Sequence, residues 1–182
     1  MKLRIYDPVV LALDLRHRRF GYAAFQGHRT ILEWGQKVYP AVGQAERELA
    51  QKRLSKLLTG IAPNVILLKH ERWERGHTDF HLANPLAALQ DEAEKHSIPI
   101  RLIQEEAVKK TFEVFGCRTK HEIAATLASI YPDLLRSVPP QRKPWQSEHP
   151  RTSVFDAVAL GLTYWHHERD HIVVERNIWR LS

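Results

Sequence analysis

Three acidic residues stand where acids are costly to bury. Asp14 closes the apolar run Val9–Leu13, Glu71 lies just past the run Val65–Leu68, and Asp156 sits within the apolar stretch Val154–Leu160. A carboxylate at the end of a buried strand loses hydration unless something compensates it. Three of them converging from two strands and a helix would form a hard, oxygen-rich site suited to Mg²⁺ or Mn²⁺. Two such ions can activate a water and stabilise the leaving oxygen in phosphodiester hydrolysis. Singly, each acid has a structural reading. Asp14 could begin a turn, Glu71 could pair with Arg72 or Arg75, and Asp156 could complement a helix N-terminus from the first turn. The combination is what points to chemistry.

The surroundings are basic and aromatic. Arg16, Arg18 and Arg19 follow Asp14, Arg72 and Arg75 follow Glu71 with Trp73 between them, and Arg142, Lys143 and Trp145 precede the stretch that holds Asp156. Cations beside such a site suit a phosphate backbone, and an aromatic ring can stack on an unpaired base. The whole chain leans the same way, with 27 Lys+Arg against 21 Asp+Glu and a formal charge of +6. His70, beside Glu71, could donate a proton or bind phosphate. The pairs His77/His81 and His167/His171 have a spacing that can chelate zinc on a helix, but lack completing ligands and read as solvated surface.

Those residues must be positioned by one domain, because 182 residues cannot core two. The single cysteine, Cys117, excludes an internal disulfide, reads as a packing residue, and sets a cytoplasmic compartment as the expectation. No apolar run approaches the ~18 residues of a membrane span. The runs at 9–13, 20–25 and 30–34, joined by short turns, predict an antiparallel meander. A helical pattern from about 43 to 60 then leads to the run at 65–68, the crossover that makes a parallel pair. Helices are expected near 85–96, 105–115, 120–130 and from about 152, with a short strand at 100–103. The sum is an α/β fold: a five-stranded mixed sheet with helices on both faces. Residues 137–151, with four prolines, read as an exposed loop, and 170–182 as a C-terminal tail that either docks as a strand or binds a partner.

At this point the sequence resembles the RuvC family of Holliday-junction resolvases, within the RNase H-like nucleases. The resemblance is carried by Leu11-Ala12-Leu13-Asp14 with Gly21-Tyr22, by Ala107-Val108-Lys109-Lys110-Thr111 with Gly116 and Lys120, and by Asp156-Ala157-Val158-Ala159-Leu160-Gly161. It implies a homodimeric endonuclease that cuts four-way DNA with Mg²⁺, Mn²⁺ being the alternative, through two ions held by Asp14, Glu71 and Asp156. Lys109, Lys110 and Lys120 would lie near phosphates, and Trp73 would wedge into the junction. A branch-migration motor is an implied partner.

Three departures from the family pattern mark this chain. Leu15-Arg16 follows the first Asp where small residues are usual, Lys69 stands where the glutamate normally ends its strand, and Ser153 replaces an acid or histidine three residues before the last Asp. Ser153 is then at most an auxiliary group, and Glu148 or His149 could reach in from the loop. The departures keep two alternatives open: an RNase H-fold nucleic-acid-binding protein without catalysis, and a YqgF-like nuclease acting on RNA.

Overall fold

The run that begins at Val9 continues beyond Asp14 as the first strand, β1 (Val9–Arg16), buried over its central six residues. A tight turn at His17-Arg18, with Arg18 left-handed at φ 57°, reverses the chain into β2 (Arg19–Gln26). The half-exposed strand β3 (Thr30–Val38) completes the meander. Helix α1 (Gln44–Ile61) crosses over to β4 (Val65–Lys69), which runs parallel to β1 with Val10 opposite Val65 and Leu13 opposite Leu68. Helices α2 (His70–Thr78) and α3 (Phe80–Lys95) lead to β5 (Ile100–Ile103), parallel to β4. Then come α4 (Glu105–Glu113), α5 (Lys120–Ile130), a 3₁₀ turn at Pro132–Ser137, and α6 (Thr152–Glu168). The sheet order is β3-β2-β1-β4-β5. The computed structural model describes residues 7–27, 30–143 and 145–168. The expected tail at 170–182, and His171, lie outside the described residues, as does the side chain of His77.

Alternation along β1 sorts the core. Leu11, Leu13 and Leu15 pack with Leu54, Leu58, Leu86 and Leu89 of α1 and α3. Val10 and Ala12 pack on the other face with Phe112, Leu127 and Val158 of α4, α5 and α6. Asp14 continues the second set, so its carboxyl ends the strand on the α6 side. Arg16, two residues on, follows on that same face.

Two glycines bring α6 down onto the sheet. Gly21 sits opposite Asp14 in the β1–β2 register. A Cβ there would lie 2.2 Å from the carbonyl carbon and oxygen of Ser153 and 2.6 Å from the nitrogen of Val154. Only glycine lets the first turn of α6 rest against β2. Farther along, a Cβ on Gly161 would lie 2.1 Å from the ring of Phe25. The glycine of the Gly-Tyr pair is therefore a contact requirement, and it lets the turn that leads to Asp156 settle beside Asp14.

Three local expectations are corrected. The helix expected to begin at Pro85 begins at Phe80, because the Asp79 carboxylate caps it by accepting from the His81 backbone N–H at 2.9 Å. Pro85 is carried inside that helix, although proline favours a helix start. Helix α2 has the sequence HERWERGHT, too polar to show an apolar stripe, and periodicity did not reveal it. Asp156 is the fifth residue of α6, so it belongs to the second turn, not the first. Among the described residues no helix is long and apolar enough to cross a membrane.

Candidate active site

The end of β1 and the second turn of α6 meet at one guanidinium. Arg16 Nε donates to Asp14 Oδ2 at 2.5 Å and Nη2 donates to Asp156 Oδ2 at 2.5 Å. Its remaining edge, Nη1, donates to Glu148 Oε2. A second cation closes the ring: Lys120 Nζ, at the start of α5, lies 2.9 Å from Asp156 Oδ2 and 2.6 Å from Glu148 Oε1. Arg72 of α2 approaches from the other side, its Nε 3.6 Å from Asp14 Oδ1. Three carboxylates thus face three cationic side chains.

Local structure fixes each participant. The Tyr39 hydroxyl, fully buried, donates to the Arg16 carbonyl at 2.7 Å and holds the end of β1. Lys120 is presented by a capping box: the Thr119 side chain accepts from the Glu122 N–H, and the Glu122 carboxylate accepts from the Thr119 N–H. Glu148 comes from the loop at 137–151, which is exposed over 140–143 but buried at Pro139, and its neighbour His149 turns away to accept from the Arg151 N–H.

Burial sets the electrostatics. It pushes the Asp14 carboxyl up, the adjacent Asp156 charge adds to that, and Arg16 and Arg72 only partly oppose them. For Glu148 burial works upward too, but hydrogen bonds from Arg16 and Lys120, with their charges, hold it down at about 2. Burial opposes the Lys120 charge, yet Asp156 and Glu148 raise its pKa above that of an ordinary lysine.

Among the described residues Glu71 shares no hydrogen-bond or ion-pair partner with Asp14 or Asp156. Its Oε1 accepts from the Glu105 N–H at 3.0 Å, capping α4, whose N-cap residue Gln104 makes no side-chain cap of its own. The other oxygen, Oε2, is buried and makes no hydrogen bond among the described residues. The Ser153 hydroxyl donates to the Pro150 carbonyl and accepts from Gln36 Nε2, so it ties the loop to α6. His70 lies 3.5 Å from Glu74.

The remaining basic residues form a rim. Lys109 pairs with Glu105 at 3.1 Å, near Glu71. Lys110, Arg18 and Arg75 are exposed, Arg19 is half-buried, and Trp73 is half-buried against the α1–α3 side of the core. A cavity of about 1020 Å³ opens beside the cluster, lined among others by Lys120, His121, Arg142, Lys143, Trp145 and His149. There Lys143 Nζ sits 5.6 Å from the Trp145 ring centre. Cys117 is buried with its Sγ 3.1 Å from Thr126 Oγ1, the packing role expected of it.

As arranged, these residues do not fit a divalent ion. The donor set has the right chemistry, hard carboxylate oxygens, but those of Asp14, Asp156 and Glu148 already hold guanidinium and ammonium groups. Among the described residues no group of three or more acidic, histidine or cysteine side chains is spaced to hold a metal. The signal available in the sequence was the Asp-x-Arg pattern at the end of β1, which puts both side chains on one face. Nothing in it said that the arginine would turn inward.

The sheet order and the helices on both faces define an RNase H-like fold. No protein-family model and no curated protein matches the chain. Among solved structures it is similar to RuvC of T. thermophilus in complex with a Holliday junction substrate, at a TM-score of 0.68 and 16% identity over 91% of this chain and 98% of that one. A second Thermus thermophilus RuvC structure gives a TM-score of 0.66 with 16% identity, covering 91% and 98%. The yeast mitochondrial Holliday junction resolvase gives 0.51 with 16% identity, covering 93% and 85%. The likeness to RuvC read from the sequence is therefore met in the fold.

Proposed function

We propose that the protein is a structure-specific endonuclease acting on branched, four-way DNA. The observation that carries this reading is the convergence of Asp14, from the end of β1, and Asp156, from α6, on the shared guanidinium of Arg16. In a fold similar to that of a resolvase with its junction, two acids from distant parts of the chain meet beside a basic, aromatic cavity. Arg18, Arg19, Arg75, Lys109, Lys110, Arg142 and Lys143 would follow the phosphates. A homodimer would be needed to address two strands, and a motor partner remains part of the proposal. Mg²⁺ or Mn²⁺, as one ion or two, belongs to a state in which Arg16 and Lys120 have left the acids.

A second reading is a junction-binding protein that does not cut. Its specific support is the pairing of Asp14, Asp156 and Glu148 with cations, together with the Ser153 hydroxyl engaged elsewhere. Labelled four-way junction, linear duplex and structured RNA, each with Mg²⁺ or EDTA, separate the readings. The nuclease reading expects junction cleavage with Mg²⁺ that Asp14→Asn and Asp156→Asn each abolish while junction binding persists. Binding in EDTA without cleavage in any metal establishes the second reading, and cleavage confined to RNA refutes both.

A further inference from the structure

We propose that Arg16, seconded by Lys120, is a built-in counter-ion that keeps divalent cations out of the acid site of the free protein. The inference rests on the functional reading only in taking Asp14 and Asp156 as acids that can hold a metal. It concerns what occupies them first.

The geometry is that of a competitor. All three edges of the guanidinium are engaged, by Asp14, Asp156 and Glu148, and the side chain is only 11% exposed. Asp156 Oδ2 is shared between Arg16 and Lys120, so the oxygen most central to the cluster already serves two cations. An ion such as Mn²⁺ needs those same oxygens. Charge points the same way as space. Three carboxylates against Arg16, Lys120 and the more distant Arg72 leave little net negative charge to attract a dication. Removal of Arg16 leaves the carboxylates in excess.

The arginine is also held in place. It alternates with Asp14 on the same face of β1, and its carbonyl is anchored by the buried Tyr39 hydroxyl. A planar fork suits phosphate as well as carboxylate, whereas lysine offers only a point charge. Arg72 has the same fork and stands 3.6 Å from Asp14, but Arg16 holds all three carboxylates, so its exchange of a carboxylate for a DNA phosphate is the one that would free the site.

The test measures metal binding without DNA, so it does not depend on cleavage. Mn²⁺ is titrated into the wild-type chain, R16M, K120M and the double variant R16M/D156N. Free Mn²⁺ is followed by its electron paramagnetic resonance signal and the protein by thermal shift. The wild-type chain is expected to leave the Mn²⁺ signal unchanged where R16M quenches it, an affinity difference of at least about tenfold. K120M is expected to fall between them, and R16M/D156N to lose the gain. Equal midpoints for wild type and R16M overturn the proposal, whether both bind or neither does. Should circular dichroism show R16M unfolded, K120M against wild type decides, and equal midpoints there overturn it too. A wild-type chain that takes Mn²⁺ tightly refutes the counter-ion and leaves the nuclease reading standing. A chain that never cuts a junction refutes the nuclease reading and leaves the counter-ion intact.

Discussion

Among the described residues, acids stand buried or half-buried on opposite faces of the sheet, and the two groups are treated differently. On the α6 side, Asp14, Asp156 and Glu148 are met by charges, from Arg16, Lys120 and Arg72. On the α1–α3 side, Glu46 and Glu92 are 3% and 1% exposed and are met chiefly by amides. Asn84 Nδ2 donates to Glu46 at 3.2 Å and Gln51 Nε2 donates to Glu92 at 3.1 Å, while His17, Lys95 and His96 stand no closer than 3.6 Å. Amide hydrogen bonds stitch two helices together and leave little to exchange. Charged partners hold the other cluster as a balance of ions. Burial of an acid alone does not tell the two clusters apart, whereas the kind of partner it keeps does.

The largest expected effect comes from removing a charge on one side and an amide on the other. Arg16→Met takes from three carboxylates the cation they share, leaving only Lys120 and the more distant Arg72, and should lower unfolding free energy by about 3 kcal/mol, while Gln51→Ala should cost about 1 kcal/mol. Urea denaturation in metal-free buffer measures both, and equal losses would erase the distinction between the two clusters.

Next in size is Gly21→Ala. The added Cβ meets the backbone of Ser153, which must move, at a cost of roughly 1–3 kcal/mol. The α6 side of the molecule should suffer specifically. Hydrogen exchange is expected to rise in α6 and stay unchanged between α1 and α3, and junction cleavage should fall as Asp156 retreats from Asp14.

A smaller effect is read by pH. Glu148 is held at about 2, below the ordinary glutamate value of 4.5, by Arg16 and Lys120. A depressed folded-state pKa means that its ionised form binds more tightly in the native protein. The resulting stability is fully present above about 4.5 and is lost as pH falls toward about 2. Glu148→Gln should therefore flatten the acid limb of the stability profile across that window. An unchanged limb would remove Glu148 from the ion network.

The smallest effect separates neighbours in sequence. Arg16 turns to the α6 side while His17, 3.6 Å from Glu46 and 42% exposed, turns to the other. His17→Ala should cost less than about 1 kcal/mol and leave junction cleavage unchanged. A loss of cleavage would mean that the two clusters communicate through the hairpin.

Much of the frame was legible in the chain. The run at Val9, the meander, the crossover and the final helix follow from periodicity of two and of near four, which are local properties. Helix α2 escaped because HERWERGHT carries no apolar stripe, and α3 was begun late because Pro85 looked like a start while Asp79 held the cap. Of the three acids singled out, Asp14 and Asp156 meet, while Glu71 serves as a cap for α4. Glu148 entered only as one of two loop candidates, since a loop residue's reach depends on the path of a segment that has no period.

The residues themselves determined that Asp14 and Arg16 share one face of β1, that Gly21 leaves room opposite Asp14, and that Asp156 lies on an apolar helix. What only the tertiary structure decided is which charges neutralise one another. Arg16 reaches Glu148 and Asp156 across 132 and 140 residues of chain. No propensity or spacing operates over that distance. The pairing arises when α6 settles on β2, water leaves the end of β1, and the buried carboxylates must find the nearest cation or remain unsatisfied.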